Sequence, residues 1–269
     1  MANKIAFING KGGCVKTTSI FHVSGVLSKA GEKILVVDFD KQRNTTDTLL
    51  AYNASMPKKT VLEVMQGTAL LEEATAEALF KSRGNANPKY YGVDCLTASI
   101  NLDDEAKLKK IDVKKFGAAL NDFIKERGYT WVLVDMPPSN KELNRICFSC
   151  MVDFVIIPFS SDMFSIRGYG DIVNTVDTAR KDNPALGVLG VYLSKYMSNC
   201  GVDIFIKRQI EKYDTYLDVQ IPLAADVREG LLYGRPISYY KVFSESKKAF
   251  ENLVDIMKKR IRAIDNERK

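Results

Sequence analysis

Histidine is almost missing from this chain: His22 is the only one in 269 residues. Metal centres and catalytic triads built on several imidazoles are thereby excluded, and His22, inside a helical pattern, reads as a packing residue. No run of 18 apolar residues occurs, so no membrane-spanning helix is expected. Met1-Ala2-Asn3-Lys4 leads straight into an apolar run and leaves no room for a signal peptide, which predicts a cytoplasmic protein. Proline-rich linkers, fixed-period repeats and low-complexity tracts are absent too. A single domain over 1–269 is the resulting expectation. The five cysteines are odd in number and irregularly spaced, which suits reduced thiols better than a disulfide framework. Neither sign of charge is scarce: 39 Lys and Arg against 33 Asp and Glu leave +6, which permits contact with nucleic acid or anionic lipid without demanding it.

What is present is an alternation of β-branched apolar runs with longer helical patterns. Strands are predicted at Ile5–Ile8, Ile34–Val37, Tyr91–Leu96, Trp131–Val134, Phe154–Ile157, Val188–Leu193 and Leu217–Ile221. Several are continuous apolar runs, as in strands covered on both faces. Helices are predicted near Lys16–Ala30, Val113–Arg127, Lys141–Cys150, Ser165–Lys181, Val202–Lys212 and Ser244–Ala263. The order implies an α/β fold with a doubly wound, mostly parallel sheet, whose ligands bind at the carboxyl ends of the strands. The segment 70–115, with a helical stretch, a turn at Arg83–Pro88 and a charged run from Asp103, reads as a peripheral elaboration.

Three motifs follow strands. Gly10-Lys11-Gly12-Gly13-Cys14-Val15-Lys16-Thr17-Thr18 lies between a strand and a helix, where backbone N–H groups converge on an anion. Gly10, Lys16 and Thr17 satisfy the phosphate-loop spacing, with Lys16 reaching the β- and γ-phosphates and Thr17 the Mg²⁺. The second glycine of that template is Val15. Asp38-Phe39-Asp40-Lys41-Gln42 puts two carboxylates on one side of a strand end, where they serve water activation and the outer shell of a metal. Taken alone it reads better as a solvated acidic strand end. Trp131–Asp135 is an apolar strand ending in aspartate, the Walker B pattern, although aspartate also ends strands as a helix cap.

Together, Lys11–Thr18, Asp38–Gln42 and Asp135-Met136-Pro137-Pro138-Ser139 resemble the deviant Walker A, DxDxQ and DxPPS motifs of the ParA/MinD (SIMIBI-class) ATPases. Ile221-Pro222 followed by Tyr233-Gly234-Arg235-Pro236-Ile237 is similar to the family's adenine loop, and the likeness extends from Lys4 to about Val254. It points to the ParA/Soj-type DNA-partitioning branch. The resemblance implies an ATP- and Mg²⁺-dependent P-loop ATPase that dimerises on ATP. Lys11 would reach the partner's phosphates in trans, and Lys16 would act in cis. Thr17 would bind Mg²⁺ with Asp135 in its outer sphere and Asp38 as a further outer-sphere candidate. Asp40 would orient or activate water, and Gly10, Gly12, Gly13, Cys14, Val15, Thr18 and Pro222 would line the nucleotide. This division of labour suits phosphoryl transfer, which asks for positioning and charge neutralisation.

The resemblance also implies nonspecific DNA binding, nucleoid association and a ParB-like or other adaptor that stimulates hydrolysis, with a plasmid, chromosome or mobile element as cargo. Aligning the late loop puts Asp226 where the family has a DNA-binding arginine. The remaining basic candidates are Lys195, Lys207, Arg208, Arg228, Lys241, Lys247 and Lys248, each of which taken singly reads as a solvated surface residue. The chain starts at the phosphate-loop strand, so specific operator binding through an N-terminal extension is not expected. Two rival readings come from the same class. A MinD-like membrane ATPase would use the apolar stripe of the C-terminal helix, about 244–264, but such stripes usually face a core, so membrane binding is not expected. An iron–sulfur carrier would use Cys147 and Cys150, which lie in an apolar helical run and read as structural. Val15 is expected to weaken nucleotide binding or dimer closure, because a β-branched residue is poor at positive φ.

Overall fold

The computed structural model describes residues 2–10, 15–138, 140–160 and 163–267, the side chains of 163–167 excepted. The chain begins β1 (Asn3–Phe7), α1 (Lys16–Lys29), β2 (Ile34–Asp38), α2 (Asn44–Leu49), α3 (Val61–Met65) and α4 (Leu71–Ala74). An antiparallel hairpin, β3 (Thr75–Ser82) and β4 (Asn85–Leu96), is followed by α5 (Glu105–Leu108), α6 (Val113–Arg127), β5 (Trp131–Asp135) and α7 (Lys141–Cys150). Then come β6 (Phe154–Ser160), α8 (Met163–Ala179), β7 (Gly187–Tyr196), α9 (Gly201–Ile210) and β8 (Tyr216–Pro222). The chain closes with α10 (Ala225–Leu232), α11 (Ile237–Tyr240) and α12 (Glu245–Glu267).

The strands form one eight-stranded sheet in the order β3-β4-β2-β5-β1-β6-β7-β8, parallel except at β3. Alternate residues of each central strand feed opposite cores. Ala6, Val132 and Val134 join one apolar cluster with Phe116, Leu120, Phe123 and Phe148, while Ile5, Phe7, Trp131 and Leu133 join the other with Phe21, Phe250 and Met257. This two-sided burial is why the strands are continuously apolar rather than alternating.

The segment 70–115 differs most from expectation. Its helical stretch is confined to the four residues of α4, and most of the rest is the β3–β4 edge of the sheet. Ala76, Glu77, Ala78 and Leu79 are good helix formers, but Ala78 and Phe80 point into the core at a period of two. Gly84, at φ +76, makes the turn, and the ladder changes register between Phe80 and Ser82, near Pro88, which has no N–H to donate.

The apolar stripe of α12 is spent inside the fold: Phe250, Leu253, Val254, Met257 and Ile261 are buried. Its basic flank is tied down as well, since Lys258 pairs with Glu32 at 2.9 Å and Arg260 donates to the carbonyls of Leu189, Asp214 and Tyr216. Among the described residues no helix is long and apolar enough to cross a membrane. Cys147 is buried, and Cys150 sits on Gly117 of α6, where an added Cβ would come within 2.6 Å of it.

His22 does more than pack. It is fully buried in α1, where Nδ1 accepts the Ile237 N–H at 3.1 Å and Nε2 faces the Val227 carbonyl at 3.0 Å. The first bond requires an unprotonated Nδ1, so the proton sits on Nε2 and the ring bridges α1 to α10 and α11 as a neutral donor–acceptor. Burial lowers its pKa from 6.5 to about 4. Between those values the unfolded chain takes up a proton that the fold excludes, so stability falls as pH drops from 6.5 towards 4. Urea unfolding from pH 7 to pH 4 is expected to show wild type losing up to about 3 kcal/mol more than His22→Gln. Parallel pH profiles for the two proteins would contradict it.

Candidate functional site

Strand register builds the site. In the β2–β5 ladder Asp38 lies opposite Asp135, and in the β1–β5 ladder Phe7 does, so the loop after β1 emerges beside both carboxylates. Three successive strand ends therefore converge, at the carboxyl edge where α/β sheets hold ligands.

Asp38 is completely buried, and its oxygens are taken by the fold. Oδ2 accepts the Thr46 N–H and hydroxyl, both at 2.8 Å, and Oδ1 accepts the Asp40 N–H at 3.0 Å. Asp135 is loaded on one side only: Oδ2 accepts the Thr17 hydroxyl at 2.6 Å and the Thr45 hydroxyl at 2.5 Å. Its Oδ1 is buried without a partner among the described residues. Both carboxyls are pushed above the usual carboxylate range, first by burial and, for Asp38, next by the charge of Asp135. Lys16, buried at the start of α1, acts on Asp135 in the opposite sense.

A pair of buried acids with an empty oxygen is short of positive charge. The donors on offer, a threonine hydroxyl and carboxylate oxygens, are the hard ligands that suit Mg²⁺. The residues fit such an ion, with Thr17 to hold it and Asp135 to stand behind it. Asp40 is half-buried on the same edge, its Oδ1 accepting the Gln42 N–H at 3.0 Å, while its neighbour Lys41 pairs with Asp103 at 2.6 Å.

Both helices that carry the hydroxyls start from a residue in a conformation suited to glycine. Val15, before α1, has φ 63 and ψ 21, and Arg43, before α2, has φ 57 and ψ 20. Such a residue costs roughly 1–3 kcal/mol, and β-branched valine is the poorer of the two. The glycine missing at position 15 is thus still called for by the backbone. Gly10 is exposed and faces the Pro138 carbonyl, which an added Cβ would approach to 4.0 Å; Thr18 is half-buried on α1. Lys11, Gly12, Gly13, Cys14 and Ser139 lie outside the described residues.

Other expected residues lie elsewhere. Pro222 ends β8, with β6 and β7 between it and β1, and lines a separate cavity of about 510 Å³ with Leu223, Asp226 and Lys241. Of the basic candidates, Lys207 pairs with Glu211 at 3.4 Å, Lys241 with Glu229 at 3.8 Å and Lys247 with Glu251 at 3.5 Å. Arg208, Arg228 and Lys248 are exposed, as is Lys195, which has φ 56. Asp226 serves the fold, accepting the Ser246 hydroxyl at 2.8 Å. Arg228, Lys241, Lys247 and Lys248 belong to α10, α12 and the stretch between them, whereas Lys207 and Arg208 lie on α9. Sequence reasoning missed Thr45 and Thr46, whose only signal is a hydroxyl pair five and six residues beyond Asp40.

The one-sided loading of Asp135 makes a prediction. An Asn there keeps an acceptor for both hydroxyls and places its amide nitrogen at the empty position, removing one of two buried like charges. Asp135→Asn is expected to raise stability to urea by about 1–3 kcal/mol in EDTA, and to lose any stabilisation that Mg²⁺ gives wild type. A less stable variant in EDTA would refute it.

Known proteins share this architecture. The family model AAA_31, an AAA domain, matches residues 2–188. The chromosome partitioning protein ParA of Caulobacter vibrioides is 26% identical over 257 residues, covering 93% of this chain and 91% of its own. A ParA family protein of Mycoplasma pneumoniae is 30% identical over 189 residues, covering 68% of this chain and 67% of its own. The cobyrinic acid a,c-diamide synthase of Mycobacterium smegmatis, solved with bound ADP and magnesium, superposes with a TM-score of 0.77 at 22% identity, over 97% of this chain and 96% of that one. With the domain match spanning most of its length and the carboxylate pair at the strand ends that its motifs mark, the chain belongs to the ParA/MinD family of deviant Walker A ATPases.

Proposed function

We propose that the chain is an ATPase that binds ATP with Mg²⁺, dimerises on it, binds DNA nonspecifically and drives segregation of a plasmid, chromosome or mobile element. The observation that carries the nucleotide half is the Thr17–Asp135–Thr45 cluster, with its one unpartnered carboxylate oxygen, beneath a helix whose first residue is Lys16. The partitioning half rests on the ParA and Soj relatives.

In this reading Lys16 neutralises the β- and γ-phosphates in cis, and helix α1 turns its N-terminal N–H groups to them. The hydroxyl oxygen of Thr17 would hold Mg²⁺ while its O–H still donates to Asp135, and Thr45 would keep the carboxylate in place behind it. Bound Mg²⁺ supplies charge neutralisation at the phosphates. Asp40, fixed by its turn onto Gln42, orients the attacking water. Lys11 reaches the partner protomer's phosphates, so hydrolysis waits for assembly. DNA contact is spread over Lys195, Lys207, Arg208, Arg228, Lys241, Lys247 and Lys248. A ParB-like or other adaptor sets the rate of release, in the cytoplasm and on the nucleoid.

The decisive measurement is ATP turnover and DNA binding on the full chain. ATP-dependent binding to arbitrary duplex is expected, weakening roughly 40- to 150-fold between about 50 and 200 mM salt if three or four phosphates are contacted. Lys16→Ala should lose both nucleotide and DNA binding. Salt-insensitive or absent DNA binding with ATP bound would defeat the partitioning reading.

Val15 provides a second test. Because it already occupies the left-handed region, Val15→Gly is expected to add about 1 kcal/mol of stability and to tighten ATP binding. ATP affinity in wild type equal to or above that of Val15→Gly would show that the valine does not weaken the nucleotide site.

A further inference from the structure

On the flank formed by α3, α4, α5 and α6 lies a groove of about 870 Å³. Its floor is apolar: Val64, Met65, Leu71, Ile111, Phe116 and Phe123 are all buried. One wall is the exposed face of α6, where Lys115, Ala119, Asp122 and Glu126 recur at helical spacing over about 16 Å. The facing wall is the α3–α4 connection, where Leu70 stands 68% exposed. The rim is polarised. Lys107, Lys110 and Lys115 lie at one end, with Asp112 among them as the cap of α6, and Asp122 and Glu126 lie at the other. Glu72 also lines the groove; Lys110, Lys115, Asp122 and Glu126 have no ion-pair partner among the described residues.

The walls are also wired to the nucleotide site. The Thr46 hydroxyl that donates to Asp38 accepts the Ala98 N–H at 3.0 Å. The adjacent Thr97 holds both helices of one wall, its carbonyl accepting the Val61 N–H at 2.8 Å and its own N–H donating to the Ala74 carbonyl at 3.0 Å. Beyond the groove's α5 end, Asp103 just before α5 pairs at the surface with Lys41, the neighbour of Asp40, at 2.6 Å. Beside it the Leu102 carbonyl accepts from the side-chain amide of Asn140, which follows the Asp135–Ser139 segment, at 3.3 Å.

We propose that this groove docks one amphipathic helical segment of a partner protein, basic where it meets Asp122 and Glu126 and acidic where it meets Lys110 and Lys115. Its apolar stripe covers Phe116, Phe123 and Leu70, and its seating is transmitted to the Asp38 and Asp40 loops. The proposal rests on the reading that a partner stimulates hydrolysis, and gives that partner a place and a chemistry. Helices recognise grooves of this kind through an apolar stripe, and rim charges of both signs select the partner.

The probes are three fluorescein-labelled synthetic helices of about 14 residues, long enough to span the groove. They share one leucine stripe and differ in carrying lysines at one end and glutamates at the other, lysines only, or glutamates only. With the full chain, the bipolar helix is expected to bind at least about 10-fold tighter than either control. Ala119→Arg, exposed at mid-groove, should weaken it by a similar factor while leaving nucleotide affinity unchanged. The double variant Asp122→Lys, Glu126→Lys should transfer the preference to the glutamate helix, a gain that misfolding cannot imitate. Bound helix should raise ATP turnover, and Asp103→Asn should keep the binding but lose much of that rise. Equal binding of the three helices, or indifference to Ala119→Arg, overturns the docking site. Binding without any change in turnover overturns the coupling. A chain that binds the bipolar helix yet hydrolyses no ATP overturns the ATPase reading and leaves the groove supported.

Discussion

Two buried aspartates sit side by side at the ends of β2 and β5. Buried like charges repel, so everything nearby is arranged around making that juxtaposition tolerable. Asp38 is given three hydrogen bonds, and Asp135 receives two hydroxyls on one oxygen. Apart from the Asp40 N–H, these bonds come from threonines at the starts of α1 and α2, which ties the entry of both helices to the carboxylates. That requirement explains why Val15 and Arg43 are held at positive φ despite their side chains. The fold accepts local backbone strain to keep a cation-hungry pair intact.

Much of this was legible beforehand. The parallel core strands announce themselves as β-branched runs, since both of their faces are covered, and the three motifs fall at strand ends as expected. Register was not legible: no local pattern states that Asp38 and Asp135 are neighbours, because the pairing joins segments far apart in the chain. Thr45 escaped notice for the same reason, its role existing only once α2 is folded against β5. The β3–β4 hairpin was hidden by helix-forming residues whose preference is overridden by packing against Phe21 and Tyr239. A single imidazole in an apolar helix carries no sign of two backbone partners, so from the sequence His22 reads only as a packing residue.

The basic surface tells a different story from the carboxylate pair. Several of its members are already engaged with neighbouring acids, so the charge available to a polyanion is smaller than the count of lysines and arginines implies. Surface pairs of this type are weak and screened, and a phosphate can compete for the cation. Any DNA affinity would therefore come from a spread of modest contacts.

The bridge made by His22 has a bearing on how the molecule matures. Its partners Val227 and Ile237 lie 205 and 215 positions further along the chain. During synthesis α1 emerges early and can pack on β2 and β5, but its contacts with α10, α11 and α12 wait until the last stretch of the polypeptide has left the ribosome. The support behind α1 is therefore completed only when segments 205 and 215 positions away have folded onto it.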